Sequence, residues 1–358
     1  EMKKPAPYAQ SRPLVVEELE LEGPGPGEVL VAIAAAGFCH SDLSVIDGSR
    51  PRVMPMVLGH EASGVVAEVG GGVEDLKVGD HVVFSFVPVC GRCAYCAVGR
   101  PALCERGNAA NVKGTLLGGA RRFKNRRAEP LHHHMGVSAR ESLIPIPPEI
   151  PLEKAALFGC AVMTGVGAVV NTARVEPGAR VGVFGLGGVG LAVVLGARLA
   201  GALQIVAVDL LPPKLELAGR LGATHTVAAG DGNAVEAVRE ITRGGVDYAF
   251  EAVGNAKVLS QAYAATRRGG TTVTIGLPDP GQRLDLQGVS LVAEERRLLG
   301  SYMGSAVPQR DIPRLLDLYQ AGRLPVDELV SRQVELPSVN AAFDALREGA
   351  VVRQLLCF

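Results

Sequence analysis

The sequence predicts an α/β chain of two domains, one β-rich with irregular connections and one built on a doubly wound parallel sheet. Three observations carry that prediction. The chain has 358 residues, more than one ordinary core holds. Its first part reads as short β-branched runs separated by Gly/Pro loops. Between residues 180 and 277 strands and helices alternate, the pattern of a parallel sheet with crossover helices. Hydrophobic residues make up 47% and charged residues 20%, which marks a globular chain and not a disordered one. The net charge of −1 offers no bulk attraction to nucleic acid or to an anionic membrane, so neither is expected as a partner. No apolar run approaches the roughly 20 residues of a membrane span. Glu1-Met2-Lys3-Lys4-Pro5 leads into no apolar segment, so no signal peptide is read and a cytoplasmic location is expected.

In the first part, Leu14-Val15-Val16 and Val29 to Ile33 are strands separated by the loop Gly23-Pro24-Gly25-Pro26-Gly27. Val65 to Gly70 and His81 to Phe84 are further strands, with Val78-Gly79-Asp80 turning between them. Gly37-Phe38-Cys39-His40-Ser41-Asp42 is expected where a strand runs into a helix or turn. It sets a thiol, an imidazole, a hydroxyl and a carboxylate side by side, a mixture no core requires. His60-Glu61 follows 21 residues after Cys39, and Cys160 comes 100 residues after His60. Cys39, His60 and Cys160 would form a three-ligand zinc site whose fourth position stays open, the arrangement of a catalytic metal.

Seven cysteines, an odd number, favour metal ligation over a disulfide framework in a cytosolic chain. Cys90, Cys93, Cys96 and Cys104 have C-x2-C-x2-C-x7-C spacing, the signal of a closed, structural zinc site. An iron–sulfur reading fits less well, because its last gap is three and a proline follows. Cys357 is left as an unremarkable C-terminal residue. The basic run Arg121, Arg122, Lys124, Arg126 and Arg127 reads as a solvated loop, or more sharply as an anion-attracting rim. Of His132, His133 and His134, one is expected to line a cleft and the others to be solvated. Pro145 to Pro151 is a connector, Glu153 to Phe158 a helix delivering Cys160, and Thr164 to Gly167 a soft point at a domain boundary.

Arg180 to Phe184 is a buried strand. The turn Gly185-Leu186-Gly187-Gly188-Val189-Gly190 follows it and opens an apolar helix. The next strand, Ile205 to Val208, ends at Asp209, 19 residues after Gly190. Alone, G-x-G-x-x-G is weak; between a strand and a helix, with that carboxylate, it is the dinucleotide fingerprint. The glycines let a pyrophosphate approach the helix N-terminus. Asp209 accepts from a ribose 2′-hydroxyl and repels a 2′-phosphate, which favours NAD over NADP. The alternation continues through a helix from Lys214 to Leu221, a strand at Thr226-Val227, a helix from Ala234 to Thr242, and a strand from Val246 to Phe250 ending near Glu251. It ends with a helix from Leu259 to Thr266 and a strand from Thr271 to Ile275. Leu298 to Tyr302 reads as a last strand, Ile312 to Tyr319 and Val339 to Glu348 as helices. The strand-like end, Val352 to Leu356, suits the β-rich domain by composition.

Taken together, these pieces resemble the zinc-dependent medium-chain alcohol dehydrogenases over nearly the whole chain. The matching residues are Gly37 to Asp42, Gly59-His60-Glu61, the four-cysteine lobe, Cys160 with Thr164-Gly165, the Gly185–Gly190 turn with Asp209, and Arg353. The resemblance implies a GroES-like catalytic domain at 1–163 and 303–358, and a Rossmann NAD-binding domain at 164–302. It implies two zincs per subunit, one catalytic and one structural, and homodimers or homotetramers that pair near Leu298 to Met303. Cys39, His60 and Cys160 would hold the catalytic zinc, with Glu61 as an occasional or outer ligand and Asp42 orienting His60. Ser41 would take the proton of the alcohol. His40 and Arg353 would face the pyrophosphate and Thr164 the nicotinamide. Lys214, Ile275 and Leu277 would join Gly185, Gly187, Gly188, Val189, Gly190 and Asp209 around the cofactor. Phe86, His134, Met135, Leu277 and Tyr302 fall where the family builds its substrate pocket.

Two positions depart from the family. Ser44 stands where many members place the histidine that ends the proton relay, so the proton must leave by His40, another histidine or water. Arg50 stands where many place an apolar pocket residue; with the 121–127 run, an acidic or conjugated substrate becomes plausible. The resemblance implies reversible hydride transfer between a primary, secondary or aromatic alcohol and NAD, giving an aldehyde or ketone. A thiol-dependent formaldehyde dehydrogenase, a nicotinoprotein that keeps its NAD, and a non-catalytic NAD-binding protein are the alternatives.

Overall fold

The computed structural model describes residues 2–6, 9, 11–86, 88–133 and 138–358. Contacts divide the chain into two compact units. One comprises Glu1–Cys160, Val307–Asp317 and Val330–Phe358; the other comprises Ala161–Ala306 and Leu318–Leu329.

In the first unit the main sheet runs in the order Leu143–Ile146, His81–Phe84, Ala62–Val69, Glu28–Gly37, Arg353–Cys357, Val330–Val334. The C-terminal strand pairs antiparallel with Glu28–Gly37, Leu355 lying opposite Gly37 and Leu356 opposite Ala36. Chain segments more than 300 residues apart therefore share one sheet, as the terminal composition predicted. Val29, Val31, Val66, Leu76, Val82, Phe84 and Leu143 form one core cluster. Another joins Phe38, Leu43, Val45 and Ile46 to Val339, Phe343 and Leu346 of the helix Val339–Arg347. Phe38 and Phe343 meet edge to face with ring centroids 5.0 Å apart. That packing fixes the start of the helix His40–Ile46, and with it the residues that precede it.

The basic run is neutralised at close range. The strand Val15–Leu21 pairs with Phe123–Lys124, which brings an acidic row alongside. Arg122 Nε lies 2.8 Å from Glu28 and its Nη1 3.3 Å from Glu22; Lys124 Nζ lies 2.6 Å from Glu22, and Arg126 Nη2 3.1 Å from Glu18. Three of its five charges face carboxylates, which removes most of the basis for an anion-attracting rim. Of the three histidines, His132 is half-buried and His133 buried in a short strand beside Met56–Val57, while His134 lies outside the described residues.

The second unit carries six parallel strands in the spatial order His225–Ala228, Gln204–Asp209, Arg180–Phe184, Val246–Glu251, Thr266–Thr274, Arg297–Gly300. Numbered along the chain this is 3-2-1-4-5-6, the doubly wound order whose direction reverses between Arg180–Phe184 and Val246–Glu251. Phe184, Val206, Val208, Val246, Ala249 and Ala262 fill one side of the sheet. Thr164 to Gly167, expected as a soft point, is instead buried helix: Ala161–Gly167 runs on as a π-helical turn, Ala168–Ala173. Gly165 is there for close packing, since a Cβ on it would stand 2.4 Å from the carbonyl oxygen of Val189. The last strand stops at Gly300, short of Tyr302, because the chain turns at Met303 and Ser305 with φ of 52° and 48°. Among the described residues no single helix is long and apolar enough to cross a membrane.

Candidate active site

The first unit brings Cys39, His60, Glu61 and Cys160 together. One ligand atom from each lies within 4.8 Å of all the others, and all four residues are buried. Cys39 is the N-cap of the helix His40–Ile46, so the packing of Phe38 against Phe343 fixes its position. Gly59, at φ 116°, turns the chain from Met56–Val57 into Ala62–Val69 and presents His60 and Glu61. Cys160 ends the 3₁₀ turn Ala156–Gly159.

Asp42 is 1% exposed, and its carboxylate lies 3.1 Å from His60 Nδ1. It also accepts from Gly59 N at 3.3 Å. With Nδ1 engaged, Nε2 is the nitrogen directed at the cluster, the usual way a metal-binding imidazole is oriented. Phe86 stands edge-on to the His60 ring at 4.6 Å. Hydrogen bonding from Cys160 holds the Cys39 thiol well below its usual range against the opposing effect of burial, and the Arg353 and His60 charges assist. Cys160 moves up for the complementary reasons, its bond to Cys39 and its burial. Burial raises the Glu61 carboxyl to about 7, opposed by Arg353.

The four-cysteine lobe forms a second cluster, with its sulfurs within 4.8 Å of one another. Cys93 Sγ lies 3.5 Å from Cys96 Sγ and 3.9 Å from Cys104 Sγ. Cys104 Sγ accepts from the N–H groups of Cys90 and Gly107, each at 3.3 Å. Backbone N–H groups of Cys96 and Glu105 lower the Cys93 thiol to about 6, while burial and the neighbouring thiols push Cys96 up to about 12.

In the second unit the turn Gly185–Gly190 leads into the helix Gly188–Leu199, whose N-cap, Gly187, contributes no side chain. Gly185 has φ 93°, and a Cβ on Gly190 would stand 1.8 Å from the oxygen of Gly185, so both positions exclude side chains. A Cβ on Gly187 meets nothing within 4 Å, leaving space in front of the helix N-H groups. Asp209 Oδ2 accepts from Leu186 N at 2.7 Å and its Oδ1 from Leu211 N at 3.1 Å, which holds the turn against the next strand.

Residues 25–134 match the alcohol dehydrogenase GroES-like domain and residues 188–321 the zinc-binding dehydrogenase domain. A Mycobacterium tuberculosis protein named as an alcohol dehydrogenase is 41% identical over 360 residues, covering 98% of this chain and 97% of its own. The chain belongs to the zinc-dependent medium-chain alcohol dehydrogenase family. An Escherichia coli S-(hydroxymethyl)glutathione dehydrogenase is 38% identical over 361 residues, 98% of this chain and 97% of its own. The crystal structure of benzyl alcohol dehydrogenase from Acinetobacter calcoaceticus superposes with a TM-score of 0.94 at 32% identity, covering 99% of each chain. Residues 25–134, within the first unit, are thus a GroES-like domain of a medium-chain alcohol dehydrogenase, and the six-stranded parallel sheet is Rossmann-like.

The donor sets fit the metals this dehydrogenase family carries. Two thiols, an imidazole oriented through Nδ1 and an adjacent carboxylate suit a zinc with a position left for substrate; four thiols suit a closed zinc. Other expected residues are placed less simply. Arg353 is 4% exposed; its Nη1 donates to Phe38 O at 3.0 Å and lies 3.4 Å from Glu61 Oε2. His40 is exposed and Ser41 half-buried. Ser44 Oγ donates to His40 O at 2.9 Å, so the helix backbone uses that hydroxyl. Arg50 is half-buried. Thr164 is buried, with Oγ1 3.7 Å from Met303 Sδ. Lys214 and Tyr302 are half-buried, Ile275 is buried and Leu277 is 47% exposed. His134 and Met135 lie outside the described residues. One residue of the second site carried no assignment in the sequence: Glu251, a carboxylate closing a strand beside the glycine turn. Its only sequence signal is that position.

Proposed function

We propose that this dehydrogenase oxidises a primary, secondary or aromatic alcohol with NAD, reversibly, to an aldehyde or ketone. The observation that carries this reading is the buried Cys39–His60–Glu61–Cys160 cluster with His60 held by Asp42. Cys39, His60 and Cys160 hold the catalytic zinc, with Glu61 available beside them, and Cys90, Cys93, Cys96 and Cys104 hold the structural one. Zinc supplies Lewis acidity toward the alcohol oxygen, and NAD supplies the hydride acceptor. Asp42 keeps the His60 ring in one orientation and Phe86 packs against it at near right angles. Ser41 accepts the alcohol proton and passes it outward. With Ser44 bonded to the backbone, the exposed His40 or water receives it. Gly185, Gly187, Gly188, Val189 and Gly190 cradle the pyrophosphate, and Asp209 selects the unphosphorylated ribose. Thr164, Lys214, Ile275 and Leu277 complete the cofactor's surroundings.

The test is zinc content per subunit together with NAD reduction on a panel of primary, secondary and aromatic alcohols. Two zincs and NAD-linked turnover are expected. One zinc without turnover on any alcohol would defeat the reading. The likeness to S-(hydroxymethyl)glutathione dehydrogenase supports a second reading, oxidation of the formaldehyde–thiol adduct. A formaldehyde rate that depends strictly on added glutathione would select it.

The assembly we infer is a homodimer or a homotetramer. Arg297–Gly300 is an edge strand, and beside it the helix Gly288–Ala293 exposes Val289 at 68% and Val292 at 81%. An unpaired edge next to exposed aliphatic groups is a surface that pairs with a second copy. Light scattering is expected to give a multiple of the 37.2 kDa subunit, reduced toward one subunit by Val292→Arg. A single-subunit mass for the unmodified protein would count against it.

A further inference from the structure

We propose that Glu251 is a positioning residue for the dinucleotide site, holding the 252–255 loop and the 274–276 segment in the shape that receives NAD. The proposal rests on the NAD reading above. Glu251 ends the strand Val246–Glu251, next to the point where the sheet order reverses, and ligands of such sheets bind beyond the strand ends at that point. It is 1% exposed, yet its carboxylate is fully used. Oε1 accepts from Val253 N at 2.8 Å, Gly254 N at 2.6 Å and Asn255 N at 3.4 Å. Oε2 accepts from Thr274 Oγ1 at 2.9 Å. The Glu251 backbone oxygen accepts from Ile275 N at 2.8 Å and Gly276 N at 3.2 Å. One residue therefore ties the 252–255 loop to the end of the strand Thr266–Thr274.

The 252–255 loop bears on the glycine turn, and the 275–277 segment bears on that loop. A Cβ on Gly185 would stand 2.4 Å from Val253 Cγ2, and one on Gly190 would stand 3.6 Å from Ala252 Cβ. A Cβ on Gly276 would stand 2.0 Å from Gly254 N, and one on Gly254 would stand 2.8 Å from Leu277 O. The loops are packed to backbone contact, so a shift in one displaces the others. They leave two aliphatic side chains in the open, Val253 at 54% and Leu277 at 47% exposed, at the strand ends where the rings of a dinucleotide need apolar cover. A core role alone would not need a carboxylate: an apolar side chain would bury at lower cost. Glu251 satisfies backbone donors that no strand or helix satisfies, which keeps the loops set before the cofactor arrives.

The test is Glu251→Gln in the full-length enzyme, with NAD affinity read by calorimetry beside zinc content, thermal midpoint and steady-state rates. Glutamine keeps the shape but removes the negative charge shared by the three N–H groups. The expected result is a Kd for NAD raised about tenfold, with a matching rise in KM for NAD while kcat and zinc content hold. A lower thermal midpoint with Kd within twofold of the unmodified protein would overturn the proposal, because it would make Glu251 purely structural. If Glu251→Gln does not fold, Thr274→Val removes one donor alone; a Kd raised about threefold supports the proposal and an unchanged one overturns it. Failure of the unmodified protein to bind NAD is a separate outcome, which defeats the NAD reading itself.

Discussion

Replacing His60 by alanine is expected to lower kcat by at least about a thousandfold, the loss of several kcal/mol of transition-state stabilisation. The substitution removes one of three metal ligands and strands Asp42, whose carboxylate is 3.1 Å from the imidazole at 1% exposure. Zinc is expected to fall from two to one per subunit, measured by atomic absorption. NAD affinity should be unchanged, because Gly185–Gly190, Asp209 and Glu251 belong to the other compact unit. Since His60 and Asp42 are both buried, some loss of stability is expected as well. Cys39→Ser separates the two effects: the side chain is close to isosteric, yet a hydroxyl is a far poorer zinc ligand than the thiol held down by Cys160 and Arg353. It should lose activity and one zinc with little change in thermal midpoint. A kcat within tenfold of the unmodified enzyme in both variants would sink the assignment of these residues to the catalytic metal.

Cys93→Ser is expected to act on the other cluster and through stability. Its sulfur lies 3.5 Å and 3.9 Å from those of Cys96 and Cys104, and its thiol is lowered to about 6 by two backbone N–H groups. Around the sulfurs the lobe has little else to hold it. The helix Ala94–Ala97 buries no residue, and Glu105–Lys113 buries only Gly107, Ala110 and Asn111. Metal binding in such a segment is folding free energy. Zinc content should fall to one per subunit, with the thermal midpoint lower by about 3–4 °C, the shift that a loss of about 2–3 kcal/mol produces in a chain of this length. Limited proteolysis should cut within residues 90–113, while Cys39, His60 and Cys160 keep their metal. Two retained zincs and an uncut lobe would show that the four thiols do not share an ion.

Much of this arrangement was legible before any coordinates. Local chemistry determined it: a strand, a glycine turn and a helix from residue 180 onward can pack only as a parallel unit. The C-x2-C-x2-C-x7-C spacing reads as one ion because its thiols are near in the chain. Asp42 orienting His60 was expected from the family resemblance, and the 3.1 Å contact agrees. What the chain could not disclose depended on neighbours distant in sequence. The basic run at 121–127 is neutralised by Glu18, Glu22 and Glu28, a hundred residues earlier, because strand pairing aligns them. Thr164 to Gly167 resembled a loose hinge because glycine is usually a breaker; it is packed helix because only glycine admits the Val189 carbonyl.

The sequence by itself determined the two kinds of unit, the two thiol-bearing clusters and the dinucleotide turn, since each is written in residue type and short spacing. Only the tertiary structure decided that Arg353 rests against Glu61, that Ser44 is bonded to the helix backbone, and that Glu251 holds the loops around the glycine turn. The physical reason is the same in each case. Whether a charge or hydroxyl serves a ligand or its own fold depends on which donors and acceptors are left unsatisfied around it, and packing settles that after the chain has closed on itself.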